Sequence, residues 1–285
     1  MEFDRLIYYW QHLPFHINPS LFALGSFQIR YYSLMYVVAF FLTYTLVLYR
    51  LRHDGYDYKK EMIQDYAFWA ILGVILGGRL GYVFFYNFAY YIQHPLEIIL
   101  PFEFSHGIRF VGIMGMSYHG GVIGVTLATI FFCKKRQVDI WRFADLLASA
   151  APLGYTFGRI GNFINGELYG RATSVPWGMY FPLDYTGKLR HPSQLYEAFF
   201  EGFFLFVILW VIRKKSFFDG FLIAFYLIGY GVVRFFIEFY REPDIQVGFI
   251  WNFLSMGQVL CILMMLAGAG VLLYTRGRRI EGNAS

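Results

Sequence analysis

Long apolar segments restrict the fold of this sequence more than any other feature. About 20 apolar residues in a helix cross the hydrocarbon core of a bilayer. Segments of about this length cover residues 27–49, 66–86, 113–133, 143–163, 194–212, 219–240 and 251–274. The segment 143–163 contains Pro152 and several glycines, which membrane helices tolerate. The sequence predicts an all-α integral membrane protein, with seven transmembrane helices in a single polytopic domain over residues 1–285.

Composition supports a membrane protein. Hydrophobic residues make up 58% of the 285 residues and charged residues only 15%, which is too little polar surface for a soluble globule. The charged residues are also unevenly placed. Fourteen Lys and Arg lie in one set of loops, around residues 50–60, 134–142, 213–215 and 276–279, whereas seven lie in the longer alternate loops.

This distribution predicts the orientation. The positive-inside rule places the loops with fourteen Lys and Arg in the cytoplasm, so we expect an external N-terminus, a cytoplasmic C-terminus and a small extracytoplasmic head. Because the loop cations account for the net charge of +5, this charge does not indicate a nucleic-acid partner. Cys133 and Cys261 lie in apolar runs without ligand spacing, so we expect packing roles for them and no bound metal.

Three arginines lie inside the predicted spans. Insertion of a charged side chain into the bilayer costs free energy, so a structural or functional role is expected for each of them. At about 1.5 Å per residue, Arg79, Arg159 and Arg234 lie about 20 to 24 Å from the cytoplasmic ends of their helices. Tyr32 and His119, on helices of opposite direction, fall at about the same depth. The alternative is that each arginine reaches the outer head groups separately, an alternative that is strongest for Arg79.

Polar neighbours surround two of these arginines. Asn162, Asn165 and Glu167 follow Arg159, and Glu238 and Arg241 follow Arg234 at helical spacing. Two or three arginines with fewer carboxylates predict a site for an anion such as a phospholipid head group. The alternative for Arg234 and Arg241 is a purely structural ion pair with Glu238. His119 is then a candidate general base or donor, against a structural role for a lone histidine.

Several motifs resemble the bacterial prolipoprotein diacylglyceryl transferase family. Residues 158–171 read Gly-Arg-Ile-Gly-Asn-Phe-Ile-Asn-Gly-Glu-Leu-Tyr-Gly-Arg and match the family signature almost letter for letter. Residues 118–121 read Tyr-His-Gly-Gly, residues 191–197 read His-Pro-Ser-Gln-Leu-Tyr-Glu, and residues 255–258 read Ser-Met-Gly-Gln. The run from Gly229 through Arg234 to Glu238 also matches, and the resemblance extends in order from about residue 32 to about residue 275. The outer loop 171–191 is short beside some members.

This resemblance implies an enzyme that transfers diacylglyceryl from phosphatidylglycerol to the lipobox cysteine of a preprolipoprotein in the bacterial inner membrane. It implies functional roles for Tyr32, His119, Arg159, Asn162, Glu167, Gly170, Arg234 and Glu238. Our hypothesis is that Arg159 and Arg234 hold the phosphate, and that His119, Glu167 or Glu238 accepts the thiol proton. We expect Tyr32 and Asn162 to orient the head group, with Arg79, Asn165, Gly170 and Arg241 also binding substrate, and no cofactor.

Other functions remain alternatives at this stage. A transporter of an anionic or lipid-like substrate also buries Arg and Glu, but many carriers place their site at the membrane midplane between paired broken helices. An intramembrane protease needs a nucleophilic serine with a base, or two aspartates, and the spans offer neither arrangement convincingly. A structural scaffold predicts that Arg159 and Arg234 are replaceable.

Overall fold

Helices make up most of the chain in a computed structural model, which describes residues 2–24, 27–100, 102–103, 109–110, 115–215, 217–242, 249–250 and 254–282. In chain order the helices are α1 (Glu2–Gln11), α2 (Leu13–His16), α3 (Tyr31–His53), α4 (Lys60–Tyr86), α5 (Phe88–Gln93), α6 (Tyr118–Arg136), α7 (Ile140–Ala148), α8 (Ala151–Ile164), α9 (Ser193–Tyr196), α10 (Leu205–Ile212), α11 (Phe221–Ile237) and α12 (Met256–Gly282). A π-helical segment, Glu197–Phe204, joins α9 to α10. Short 3₁₀ turns cover Pro95–Ile98 and Arg213–Lys215.

The strands among the described residues are short and pair only with their neighbours in sequence. The antiparallel pairs are β1 (Ser20–Leu24) with β2 (Phe27–Arg30), β3 (Phe102–Glu103) with β4 (Arg109–Phe110), and β5 (Phe249–Ile250) with β6 (Leu254–Ser255). In the first hairpin, Ala23 pairs with Gln28 and Leu24 with Phe27, and the chain then enters α3 directly.

Four helical stretches in the described part of the chain are long and apolar enough to cross a membrane. They are Tyr31–His53, Lys60–Tyr86, Ser193–Lys215 and Met256–Arg279. The apolar helix α11 is shorter, at 17 residues. These helices support a membrane protein built from α-helices, whereas the number of seven spans and the orientation stay predictions.

Proline divides one of the predicted spans. The segment 143–163 corresponds to α7 and α8, which are separated at Ser149 and Ala150. Pro152 lies in the first turn of α8, where its missing N–H costs nothing, but a continuous helix would need that N–H. Parts of two other predicted spans, residues 113–114 and 251–253, lie outside the described residues.

Two compact units make up the chain. The first unit contains the described residues of 1–55 and 144–285, and the second contains those of 56–143. In the second unit, glycines let α4 and α6 approach closely: a Cβ atom on Gly81 would lie 2.7 Å from Cα of Gly120, and one on Gly73 would lie 2.7 Å from the carbonyl oxygen of Gly124. Small residues at such contacts are typical of packed membrane helices.

Buried polar contacts join the helices of the first unit. The Asp145 carboxylate accepts from the backbone N–H groups of Gly220 (2.9 Å) and Ile223 (2.8 Å), and thereby caps the N-terminus of α11. Arg50, only 1% exposed, donates to the carbonyl oxygens of Asp145 and Leu146. These bonds join α3 to α7 and α7 to α11, and they are hard to break because each supplies a buried polar atom with a partner.

The loop between α8 and α9 packs on the end of α8 in the first unit. Phe163 of α8 is buried together with Met179 and Phe181 of the loop. Beside them, Arg190 donates to both carboxylate oxygens of Asp184, at 2.6 and 3.2 Å. This loop corresponds to the predicted head, and these contacts give it a defined structure despite its short length.

Candidate functional site

The motif at residues 158–171 forms the end of α8 and a sharp loop. Gly166 and Leu168 have φ values of 69° and 58°, in the left-handed region that glycine adopts freely but leucine does not. The turn brings Glu167 back over the helix end, where its Oε1 accepts from Nδ2 of Asn162 at 2.9 Å. Nδ2 of Asn165 donates to the same oxygen at 3.4 Å. The loop therefore fixes one carboxylate beside two amides of the motif.

Backbone contacts hold this loop in place. Nε2 of Gln194 donates to the carbonyl oxygen of Glu167 at 2.7 Å, and the N–H of Gly170 donates to that of His191 at 2.8 Å. A Cβ atom on Gly170 would overlap the carbonyl oxygen of Tyr240 and lie 2.9 Å from Cβ of His191. Glycine is thus required at residue 170 because two backbone segments meet there.

Arg159 lies on the buried face of α8, with its side chain 13% exposed. Its Nε lies 2.8 Å from Oε2 of Glu197 and donates to the hydroxyl of Tyr155 at 2.7 Å. Its Nη1 donates to Oδ1 of Asn162 at 3.4 Å. Arg159 therefore connects the motif loop, through Asn162, with a carboxylate on the π-helical segment.

The π-helical segment carries two buried glutamates, Glu197 and Glu201, with side chains at most 1% exposed. The wider turn of a π-helix brings residues four and five apart onto one face, and such segments are frequent at functional sites. The Tyr155 hydroxyl donates to Glu201 and, at 3.4 Å, to Oε2 of Glu197. Oγ1 of Thr156 donates to the carbonyl oxygen of Ala198 at 3.3 Å, which satisfies part of the altered backbone.

Arg234 on α11 contacts three carboxylates. Its Nη2 lies 2.9 Å from Oε2 of Glu238, and its Nη1 lies 3.3 Å from Glu197 and 3.5 Å from Glu201. Arg241 lies 3.6 Å from Oε1 of Glu197 and 4.0 Å from Oε2 of Glu238. We call the six side chains of Arg159, Arg234, Arg241, Glu197, Glu201 and Glu238 the arginine–glutamate cluster.

The charges of the arginine–glutamate cluster balance, with three guanidinium groups against three carboxylates. Our expectation of fewer carboxylates than arginines is therefore wrong. The physical reason is desolvation: an arginine this deeply buried is stable only when a carboxylate pairs with it. An anionic substrate must consequently compete with carboxylates for the guanidinium donors.

Tyr32 joins the same region from the first turn of α3. Its hydroxyl lies 3.1 Å from that of Tyr36 and also interacts with the side chain of Asn162. Its ring packs against α8, where a Cβ atom on Gly161 would lie 3.2 Å from it. The first unit thus brings together nine of the predicted site residues: Tyr32, Arg159, Asn162, Asn165, Glu167, Gly170, Arg234, Glu238 and Arg241.

The other two predicted site residues, His119 and Arg79, belong to the second unit. His119 is exposed in the first turn of α6, which Ser117 caps by accepting from the N–H of Gly120. Nε of Arg79 donates to the carbonyl oxygen of Ile98 at 2.8 Å, and its guanidinium lies 4.8 Å from the ring centre of Tyr91. Arg79 thus has structural contacts of its own, and the roles of both residues stay predictions.

Sequence reasoning missed three residues of this network, namely Tyr155, Glu197 and Glu201. Glu197 ends the quoted motif at residues 191–197, but we assigned it no role. The available signal was that Glu197 and Glu201 are the carboxylates of an otherwise apolar predicted span and are spaced i, i+4. Tyr155 carries no such signal, because a tyrosine in an apolar run is usually a packing residue.

Comparisons with known proteins agree with the motifs. The family model described as prolipoprotein diacylglyceryl transferase matches residues 19–274. A phosphatidylglycerol–prolipoprotein diacylglyceryl transferase of Chlorobaculum tepidum is 53% identical over 95% of this chain and 94% of its own length. Relatives of the same name from Campylobacter lari and Campylobacter curvus are 45% and 47% identical, over 94% and 91% of this chain and 97% and 94% of their own lengths. These matches confirm the resemblance, and the chain belongs to the prolipoprotein diacylglyceryl transferase family.

Proposed function

We propose that this protein transfers the diacylglyceryl group of phosphatidylglycerol to the lipobox cysteine of a preprolipoprotein, the first step of lipoprotein maturation. The names of relatives up to 53% identical over nearly the whole chain support this activity. The structural observation that carries it is one buried network joining Arg159, Asn162 and Glu167 of the motif with Arg234 of α11. Arg159 and Arg234 both reach Oε2 of Glu197 in this network, so their guanidinium groups lie side by side.

The reaction is a displacement at carbon. The cysteine thiol loses its proton to a base, since the thiolate is the nucleophile. Its sulfur attacks the glyceryl carbon that carries the phosphate, and a C–S bond forms as the C–O bond breaks. The electron pair of that bond stays on the phosphate oxygen, so the products are a thioether and glycerol 1-phosphate. Negative charge therefore grows on the phosphate in the transition state.

Arg159 and Arg234 suit the stabilisation of this charge. Guanidinium groups stay protonated when desolvated and match phosphate oxygens with two parallel donors. The contacts described above use Nε and Nη1 of Arg159 and Nη1 and Nη2 of Arg234. We propose that the phosphate is bound through the other two donors, Nη2 of Arg159 and Nε of Arg234, while these contacts keep each arginine on its glutamate partners.

Other predicted residues complete the proposal. His119, Glu167 and Glu238 are the candidates for the base that accepts the thiol proton. Tyr32, Asn162 and Asn165 would orient the glycerol head group through their hydroxyl and amide groups, and Gly170 would do so through the backbone. Arg79 and Arg241 would add positive charge for the anionic lipid, and the lipobox segment would supply the only reacting sulfur.

The proposed setting is the bacterial inner membrane. We propose seven spans in one polytopic domain, an external N-terminus, a cytoplasmic C-terminus and an arginine–glutamate cluster facing the outer leaflet. The concentration of loop Lys and Arg on one side supports this orientation. Membrane lipids are then both the surroundings and the donor substrate.

A reconstituted assay tests this function. The purified protein is placed in vesicles containing phosphatidylglycerol and mixed with a lipobox peptide, and both products are measured by mass spectrometry. The proposal predicts a diacylglyceryl thioether and an equal amount of glycerol 1-phosphate, with little product in vesicles of phosphatidylcholine alone. Lipid movement without glycerol phosphate release would instead indicate a transporter.

A further inference from the structure

Glu197 lies at the centre of the arginine–glutamate cluster, and the reaction described above assigns it no role. Glu197 contacts all three arginines: Arg159 at 2.8 Å, Arg234 at 3.3 Å and Arg241 at 3.6 Å. Glu201 and Glu238 each contact Arg234, but neither of them pairs with Arg159. A carboxylate that contacts three guanidinium groups offsets part of their positive charge and also determines the distances between them.

We propose that Glu197 is a positioning residue, which holds the three arginines at the spacing needed to grip the phosphate leaving group. This inference rests on the proposed diacylglyceryl transfer. Oε2 of Glu197 lies between Arg159 and Arg234, the two arginines assigned to the phosphate, and Oε1 faces Arg241. In this proposal Glu197 binds the arginines and not the substrate, so it acts only through them.

The local backbone supports this role. Glu197 is the first residue of the π-helical segment, and its side chain is 1% exposed. The segment packs tightly against α8, where a Cβ atom on Gly202 would lie 2.9 Å from Cα of Thr156. This packing restricts movement of the segment backbone, and burial restricts the rotamers of Glu197, so we infer that the carboxylate is a fixed anchor for the arginine positions.

Glu201 differs from Glu197 in reach. It lies 3.5 Å from Arg234 and accepts a hydrogen bond from Tyr155, which in turn accepts from Arg159. Its effect on Arg159 therefore passes through a hydroxyl. Glu197 therefore has more direct contacts with the arginines than Glu201, and we expect it to have the larger effect on their spacing.

Steady-state kinetics on the full-length reconstituted enzyme test the proposal. Glu197→Gln removes the charge that holds the arginines, and we expect kcat per folded molecule to fall about 100-fold, since small misplacements of reacting groups have effects of this order. KM for phosphatidylglycerol should stay within about threefold of wild type, because removal of a competing carboxylate offsets the poorer geometry. Glu201→Gln should lower kcat by only about tenfold on the same scale.

Two further variants separate positioning from folding. Glu197→Asp keeps the buried charge but is one methylene shorter, so it should fold and still lose at least about tenfold in kcat with KM little changed. Glu242→Gln, at a carboxylate that pairs with Arg190 outside the cluster, should turn over like wild type. The folded fraction of each variant is measured by thermal unfolding in detergent.

The outcomes are distinct. If Glu197→Asp turns over like wild type per folded molecule, the positioning role is wrong, even where Glu197→Gln does not fold. A loss of activity in Glu197→Gln that is explained entirely by a lower folded fraction, with kcat per folded molecule unchanged, also overturns it. If wild type itself forms no thioether, the proposed function fails first, so the two failures are distinguishable.

Discussion

Nη2 of Arg234 lies 2.9 Å from Oε2 of Glu238, one helical turn further along the chain. The same guanidinium reaches Glu197 and Glu201 through Nη1, so the planar fork of one arginine is held at both of its ends. A lysine ammonium is a single point charge and cannot hold both ends. We therefore predict that Arg234→Lys folds but loses about 100-fold or more in kcat, measured per folded molecule.

The matched control for this variant removes both cysteines. Cys133 and Cys261 are buried, at 2% and 3% exposure, and neither pairs in a disulfide. If the attacking sulfur comes from the lipobox peptide, Cys133→Ser with Cys261→Ala should keep activity within about threefold of wild type. An inactive cysteine-free protein beside a fully active Arg234→Lys variant would contradict the proposed displacement.

Two glycines of the same motif should respond in opposite ways to alanine. A methyl group on Gly170 would overlap the carbonyl oxygen of Tyr240, whereas one on Gly158 would meet no atom within 4 Å. We predict that Gly170→Ala loses most of its activity because the segment carrying Arg241 must shift, and that Gly158→Ala stays active with equal or slightly higher thermal stability. Equal activity of the two variants would show that the backbone contact at Gly170 does not set the site.

The ion pair in the loop between α8 and α9 predicts a dependence of stability on pH. Hydrogen bonds from Arg190, at 2.6 and 3.2 Å, lower the pKa of Asp184 to about 2. Since the folded pKa lies below the unfolded one, the ion pair stabilises the fold above about pH 4, and this contribution disappears as the pH falls to about 2. Asp184→Asn should lose about 1 kcal/mol at pH 7, or about 2 to 4 °C in Tm.

Thermal unfolding of the two proteins in detergent checks this pH dependence. The Tm difference between wild type and Asp184→Asn should be constant from pH 7 to about pH 5 and should shrink below pH 4. If the Tm difference instead increases as the pH falls, a group other than Asp184 causes the pH dependence.

The orientation predicts the sides at which single cysteines react. On the cysteine-free background, Lys135→Cys and Lys188→Cys replace two exposed lysines. An impermeant maleimide added to intact spheroplasts should label residue 188 at once and residue 135 only after the membrane is permeabilised. Labelling of both from the same side would contradict the N-out, C-in topology.

Hydrophobic length and charge distribution allow much of the fold to be predicted from sequence. The apolar segments at 27–49 and 66–86 correspond to α3 and α4, and their ends differ from the prediction by at most six residues. The break between α7 and α8 was harder, because membrane helices tolerate Pro152 in many contexts and only neighbouring contacts decide whether the helix continues.

The arginine–glutamate cluster could be predicted in part. Depth along each helix placed Arg159 and Arg234 at one level, and spacing paired Glu238 with Arg234 or Arg241, which lie 2.9 and 4.0 Å from it in the structure. The two carboxylates of span 194–212 mark Glu197 as unusual, but its contacts with Arg159, Arg234 and Arg241 could not be predicted this way, because a π-helical segment changes which residues share a face. Partners from different helices depend on packing that one sequence does not reveal.

Oxygen isotope transfer gives the most direct test of the central claim, that sulfur displaces phosphate at the glyceryl carbon. Phosphatidylglycerol is prepared with ¹⁸O in the oxygen that joins its diacylglyceryl carbon to phosphorus, and the reconstituted protein is supplied with a lipobox peptide. The displacement predicts that all of the label leaves in glycerol 1-phosphate and that the thioether product contains none. Label retained with the diacylglyceryl group, or release of labelled diacylglycerol without a thioether, would show cleavage at phosphorus and would contradict the claim.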